Sequence, residues 1–393
     1  MAADGTRNPP EVRPARIEVF GFDVSEISTI RRIRAMVAAG HDVRSFTMRR
    51  QNMNQDFEPE WPNTHLYNTK DENLLLRAGV VAGSVLKMAG HRDRLRRADM
   101  IFARNMDMLA IAQAARTIAG AGHVPLIYEC LDINGSLCGD GAKGRAMRAA
   151  ERALLAKVQL VVVSSPSFIS EYFGPMQGYD GPWALWENKL AAGAALPPRP
   201  RLRAPAGDGP LRLGWVGTIR CAPSLKLLAE VADRMGDRVQ VEIHGVVHRH
   251  TLPDFDAVID ARPNMTFHGP YEYPGALADI YGGCDAVWAQ DLWQRGNNSD
   301  WLLPNRIYEA SWAGCPSIAV AGTETGRRVG SDGLGWVLDD ASGDALLALL
   351  ESLPRQEIVA RGQALLDRPD ADFVQSQADI EEVIDRVRAG IAA

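Results

Sequence analysis

The chain lacks most of the features that assign a protein at sight. Only five of its 393 residues are cysteines: Cys130, Cys138, Cys221, Cys284 and Cys315. They are scattered, with no CxxC pair, so they read as buried thiols of a reducing compartment rather than disulfides or metal ligands. No run of apolar residues is long enough to cross a bilayer. The nearest, Leu74 to Gly90, is broken by Arg77 and Lys87, and no transmembrane helix is expected. The opening stretch, MAADGTRNPPEVRPAR, has no apolar segment, so no secretory signal is expected in it. No Walker loop, GxSxG or HExxH occurs. There is no basic excess either: 43 Lys and Arg face 49 Asp and Glu, a net charge of −6. A generic nucleic-acid binder is normally basic, so no nucleic acid is expected as a partner.

What is present is ordinary globular composition, 46% hydrophobic and 23% charged, in a chain of a length that implies about two domains. The charge is uneven. Residues 1–200 carry 25 basic and 21 acidic side chains, and the remainder carries 18 and 28. A basic half suits an anionic membrane surface or a phosphate-bearing substrate.

Short apolar runs rich in Val and Ile alternate with stretches of helical spacing. Strands are expected near Arg16–Phe22, Val43–Met48, Met100–Ala103, Pro125–Tyr128, Leu160–Val163 and Trp183–Trp186. Between the first two, Ile27, Ile30, Ile33 and Val37 recur at helical intervals before Gly40 stops the pattern. Residues 191–210, rich in Ala, Pro and Gly, read as a linker. The alternation then restarts, with strands expected at Leu211–Val216, Val239–His244, Thr266–His268, Ala286–Ala289, Pro316–Val320 and Gly335–Leu338. Helices fit Leu225–Met235, Tyr273–Tyr281, Arg306–Trp312 and Ala345–Leu353. Residues 371–393 end in a long helix expected to pack back on the first domain. The fold class is α/β: two Rossmann-like, doubly wound parallel-sheet domains, 1–190 and 211–370, with the ligand in the cleft between them.

Two segments of the second half suggest anion binding. In LGWVGTIR, Leu213–Arg220, an apolar strand runs into Gly217 and Thr218, and a helix begins near Ser224. Gly217 permits close backbone approach, and the helix start offers donors to a diphosphate. In LLPNRIYEASWAGCPSIAV, Leu302–Val320, Pro304 and Asn305 open a helix with Arg306 in its first turn. A cation there opposes the helix dipole and is rewarded only by an anionic ligand. Glu309 lies one turn on, placed to accept two ribose hydroxyls. The plain alternative is a surface helix with a solvated Arg–Glu pair.

These residues carry a family resemblance. The segment is similar to the donor helix of GT-B glycosyltransferases, of the pattern [M/P]-[K/N]-x-x-E-x-x-x-x-G-x-P-x-[I/V]. Upstream, Phe267-His268-Gly269-Pro270 and the stretch Leu277–Val287 with Tyr281, Cys284 and Asp285 resemble that family's F-x-G … L … Y-x-x-C-D. The likeness covers roughly residues 211–340 and is greatest to bacterial exopolysaccharide enzymes of the succinoglycan and sphingan type. It implies the GT-B fold and a sugar transfer from a nucleoside diphosphate, with UDP the expected nucleotide and no metal expected. Carried over, Glu309 holds the ribose, Asn305 and Arg306 the diphosphate, and Gly217 and Thr218 the first phosphate loop. His268, Gly269 and Tyr271 line the base pocket. The family's retaining members carry a second glutamate eight positions before the first, where this chain has Trp301 beside Asp300. They also place Arg and Lys in the first phosphate loop, at positions that here read as Thr218 and Pro223. Both departures favour inversion and leave Arg220 and Arg306 to supply the positive charge.

An inverting transfer needs a base. In IYECLDING, Ile127–Gly135, a strand ends in Glu129 and Asp132. Asp132 is the first candidate, because resembling inverting enzymes keep an acid in a similar stretch. Glu129 is the second and Asp23, after the first strand, the third. Each also reads as a turn or helix cap. Leu74 to Arg97, apolar and then rich in arginine, suits an anionic lipid surface or a domain helix with a solvated basic end. The resemblance implies a lipid-diphosphate-linked saccharide acceptor on the cytoplasmic membrane face. An epimerase or hydrolase acting on the donor alone, or a non-catalytic partner of the same fold, remain as rivals.

Overall fold

The computed structural model describes residues 13–50, 56–69, 79, 83–191, 196–203 and 208–391. The first sheet contains β1 (Arg16–Gly21), β2 (Asp42–Arg50), β3 (Asn63–Thr69), β4 (Met100–Arg104), β5 (Leu126–Cys130), β6 (Leu160–Val163) and β7 (Trp183–Leu185). Their order is β3-β2-β1-β4-β5-β6-β7. The second holds β8 (Leu211–Ile219), β9 (Val239–Val247), β10 (Met265–Gly269), β11 (Ala286–Trp288), β12 (Ser317–Val320) and β13 (Gly335–Leu338), in the order β10-β9-β8-β11-β12-β13. Every pairing of these strands is parallel. β4, β5 and β6 are buried along their whole length, because helices cover both faces of a parallel sheet.

Five helices matter for the site: α1 (Ile27–Ala38), α2 (Met106–Ala119), α3 (Ala222–Met235), α4 (Asn305–Trp312) and α5 (Gln377–Ile391). The spacing that marks α1 buries Ile30 and Ile33, yet Arg31 and Arg32 are buried beside them. α5 presents Ile380, Val383, Ile384 and Val387 to the first lobe, in one apolar cluster with Ile17, Ile33 and Met36. The chain therefore crosses between lobes twice, and the crossings meet where Leu190 bridges Val374. No described helix is long and apolar enough to cross a membrane.

Among the elements that escaped the sequence reading are an edge strand and two helices. β3, with the sequence NTHLYNT, is an edge strand that pairs only with β2, so it carries no apolar run to betray it. The helix Arg355–Leu366 buries Ile358, Gly362, Leu365 and Leu366; with glycine at one position, the apolar stripe is broken. The helix Glu324–Ser331 buries mostly small or polar residues. β8 also differs. Expected to stop at Val216, it continues to Ile219 in register with β9. Gly217 has a φ of 112° and its partner Gly245 a φ of 141°. A Cβ on Gly245 would lie 1.7 Å from the Gly217 carbonyl oxygen, so only glycine lets the two strands run on together here.

Strand order reverses between β1 and β4, and again between β8 and β11. Such reversals open a crevice beyond the carboxyl ends of the strands, where ligands bind in open α/β sheets. The two sets of carboxyl ends meet: Asn298, after β11, donates to Asp132, after β5, at 3.0 Å.

Candidate active site

The crevice of the second lobe is spanned by one cation. Arg306 projects from the first turn of α4, where its Nη1 donates to the Trp288 carbonyl at the end of β11, 3.3 Å away. Its Nη2 lies 3.8 Å from where a side chain on Gly217 would begin, at the end of β8. No carboxylate pairs with Arg306 among the described residues. The N-cap of α4 is Pro304, which supplies no side-chain acceptor, and the first turn holds no acidic residue. Helix amides and a guanidinium thus converge at a topological switch point, an arrangement that favours an anion. Thr218 is exposed beside it. Asn305 lines a small hollow with Ser28, Arg31 and Arg32 of the first lobe.

Glu309 is 5% exposed. Arg31 of α1 donates to its Oε1, and the Tyr281 hydroxyl donates to Oε2 at 3.0 Å. The solvated Arg–Glu pair within α4 does not form; the glutamate is instead paired across the lobes. Tyr271 lies close enough for its hydroxyl to feel the charges of Glu309, Arg31 and Arg306, and burial holds its pKa above the ordinary value. His268 is otherwise engaged. Its Nε2 lies 2.6 Å from Glu242, and its ring stacks on His244 with centroids 4.2 Å apart. Burial and the neighbouring His268 lower the His244 pKa to about 4. His268 nevertheless stays exposed, with 40% of its side chain in solvent. Gly269, with a φ of 80°, turns the chain out of β10 toward Tyr271.

On the opposite wall, Asp132 is exposed to the cleft while surrounded by protein from both lobes. Asn298 clamps it reciprocally: Nδ2 donates to the carboxylate, and Oδ1 accepts from the backbone of Ile133 at 2.8 Å. Desolvation raises the Asp132 pKa, offset only in part by the Asn298 hydrogen bond and the charge of Arg220. Arg220 lies over the Trp293 ring, 4.3 Å from its centroid, and 3.6 Å from Asp291. Asp291 in turn accepts from Trp293 N and Ser299 Oγ, both at 2.7 Å, which braces the loop after β11. An accessible carboxylate of raised pKa, held by an amide and faced by a cation, can accept a proton.

The other two acids proposed as bases are corrected by their surroundings. Glu129 is fully buried, its oxygens taken by Arg32 at 2.7 Å and Arg104 at 2.8 Å. Asp23 is equally buried and accepts from Ser25 N and Oγ and from Arg50 N. Neither has an oxygen open to the cleft; one ties strands to α1 and the other caps a turn. Asp300, beside the position of the family's second glutamate, accepts from Gly296 N at 2.7 Å and pairs with Arg295.

The basic segment is described only in part. Residues 74–78 and 80–82 lie outside the described residues. In the described part, Arg94 pairs with buried Glu18 at 2.7 Å, and Arg96 donates to the Ala119 carbonyl. Arg92, Arg96 and Arg97 are exposed. A hollow bounded by Arg13, Arg16, Asp42, Asp99 and Arg388 lies at the amino ends of β1 and β4, away from the cleft, and its Arg16 and Asp99 pair with each other.

Arg31, Asn298 and Asp291 were not foreseen. Arg31 and Glu309 are 278 residues apart, and Asn298 and Asp132 are 166 apart, so no local pattern signals either pair.

Comparison with known proteins agrees with this architecture. Residues 29–180 match the family model described as glycosyl transferase 4-like domain. The chain is 36% identical over 324 residues to the succinoglycan biosynthesis protein ExoL of Rhizobium meliloti, covering 79% of this chain and 80% of that protein. Among solved structures, Anabaena Alr3699/HepE in complex with UDP and glucose superposes with a TM-score of 0.65 at 13% identity, over 95% of this chain and 99% of that one. Sucrose-phosphate synthase from Thermosynechococcus elongatus gives a TM-score of 0.69 at 13% identity, over 96% and 100%. Two facing parallel sheets, a cation at the switch point and this extent of shared sequence lead to one assignment: the chain belongs to the GT-B glycosyltransferases.

Proposed function

We propose that the protein transfers a sugar from a nucleoside diphosphate donor to a lipid-diphosphate-linked saccharide during exopolysaccharide assembly, inverting the anomeric carbon. The observation that carries this reading is Asp132, an accessible carboxylate of raised pKa set across the cleft from Arg306. The acceptor hydroxyl attacks the anomeric carbon on the face opposite the diphosphate. As that C–O bond forms, the bond to the leaving phosphate oxygen breaks, and the hydroxyl proton passes to Asp132. Arg306, Thr218 and the amides opening α4 stabilise the charge growing on the departing diphosphate. Arg220 adds positive charge beside Asp132. Glu309 holds the ribose, and the turn from His268 to Tyr271 lines the base.

The part that ExoL plays in succinoglycan biosynthesis supports an exopolysaccharide acceptor, and the UDP and glucose held by HepE support UDP as the nucleotide. The positive balance of residues 1–200 supports peripheral contact with an anionic membrane at its cytoplasmic face.

A thermal-shift panel tests the donor site, because a ligand of the folded state alone raises the melting temperature. UDP is expected to stabilise more than UMP, and Arg306→Ala to remove most of that difference, about tenfold in affinity for one charge-assisted contact. No shift with any nucleoside diphosphate would sink the donor site. The base makes a separate prediction for pH. Asp132 must be ionised to accept a proton, so kcat/KM is expected to fall as pH drops through a value above the ordinary aspartate range. The anomeric configuration of the product, read by NMR, tests inversion. Conversion of donor without acceptor at an equal rate would point to the epimerase or hydrolase instead.

A further inference from the structure

We infer that Arg31, a residue of the first lobe, is a positioning residue of the donor site that fixes Glu309 for a ribose diol. The inference rests on the donor reading above and adds to it a residue from the other lobe.

The argument is one of lone pairs. An ionised carboxylate has about four acceptor sites, two per oxygen. Arg31 occupies one on Oε1 and the Tyr281 hydroxyl one on Oε2. One site on each oxygen remains, the number that two neighbouring hydroxyl donors require, and Glu309 keeps 5% of its surface exposed where the similarly contacted Glu129 keeps none. Without Arg31 the carboxylate would be a buried charge lacking its cation, and burial strongly disfavours that state. Tyr281 orients one oxygen, but a single contact leaves the group free to turn about its terminal bond.

Arg31 is itself held. Its Nη1 donates to the Asn188 carbonyl at 3.4 Å, and its guanidinium lies over the Tyr273 ring, 4.5 Å from the centroid. Its neighbour Arg32 anchors the same turn of α1 on Glu129 and on the Trp186 carbonyl. Asn188 stands two residues before Leu190, where the two interlobe crossings meet. The arginine is thus tied to the backbone beside the interlobe crossings, which suits a fixed support. A blocking latch, by contrast, would have to be broken to admit the donor, and its removal would tighten binding.

The sign of the effect therefore decides. Dissociation constants for UDP and 2′-deoxy-UDP are measured by calorimetry on the full chain, for the wild type and for Arg31→Lys, Arg31→Ala and Glu309→Ala. Arg31→Ala is expected to weaken UDP about tenfold and to erase most of the preference for the 2′-hydroxyl, with 2′-deoxy-UDP little changed. Arg31→Lys, which keeps the charge but not the planar fork, is expected to retain part of the preference. A general folding defect would weaken both ligands alike. Should Arg31→Ala fail to fold, the comparison of Arg31→Lys with the wild type carries the test. Unchanged or tighter UDP binding by the arginine variants, with the preference intact, overturns the inference. If Glu309→Ala keeps the preference, the ribose assignment of Glu309 fails instead, and the role of Arg31 falls with it.

Discussion

Asp132→Asn is expected to lower turnover by about 100- to 10,000-fold, the range over which a positioned general base contributes, and to leave UDP affinity unchanged. The substitution preserves shape. An asparagine carbonyl still accepts from Asn298 Nδ2, and the backbone hydrogen bond from Ile133 to Asn298 is untouched. What is lost is the ability to take a proton at the cleft surface. Steady-state kcat with donor and acceptor, together with UDP calorimetry on the same preparation, checks both halves. Near-wild-type turnover would remove Asp132 as the base. Neither Glu129 nor Asp23 stands ready to replace it, since the carboxylates of both are taken by buried partners.

Glu129→Ala acts on the fold. It removes the common partner of Arg32 and Arg104, whose side chains are only 4% and 3% exposed, and strands two guanidinium groups in the core. Breaking a buried ion pair from one side costs about 3–5 kcal/mol, a large share of the stability of a typical domain. Denaturant unfolding of the variant measures the loss. A change under roughly 1 kcal/mol, the size of an exposed pair, would show that the triad is not what braces β4, β5 and α1. The pH dependence has a definite sign. Burial raises the Glu129 pKa, but the charges of Arg104 and Arg32 outweigh it and hold the group below its ordinary value. Its contribution is therefore present above the unfolded pKa and is lost as pH falls through the depressed value.

The two losses divide the segment from Glu129 to Asp132 into a structural end and a chemical end. Read linearly, both acids follow the same strand and look equivalent. β5 ends at Cys130: Glu129 is still in the sheet, paired with Arg104 and Val162 in register, whereas Asp132 has left it and faces the cleft. The two acids are three positions apart, and the packing of Arg32 and Arg104 decides which of them is free.

The sequence alone was enough for the alternation of apolar strands and helices, the two parallel sheets, and the helix with Arg306 and Glu309 on its first two turns. These are local properties. Burial on both faces demands runs such as those of β1, β4 and β6, a 3.6-residue period brings Ile30 and Ile33 of α1 to its buried face while Ile27 and Val37 stay exposed, and the start of α4 is marked at Pro304. What only the tertiary structure decided is who meets whom. Glu309 is paired by Arg31, Asp132 by Asn298, Glu129 by Arg32 and Arg104, and His268 by Glu242. A charge in a sequence carries no mark of its partner, because partners are set by where strand order and lobe contact bring distant segments together. The low dielectric of the assembled cleft then makes those meetings strong enough to separate a proton acceptor from a structural ion pair.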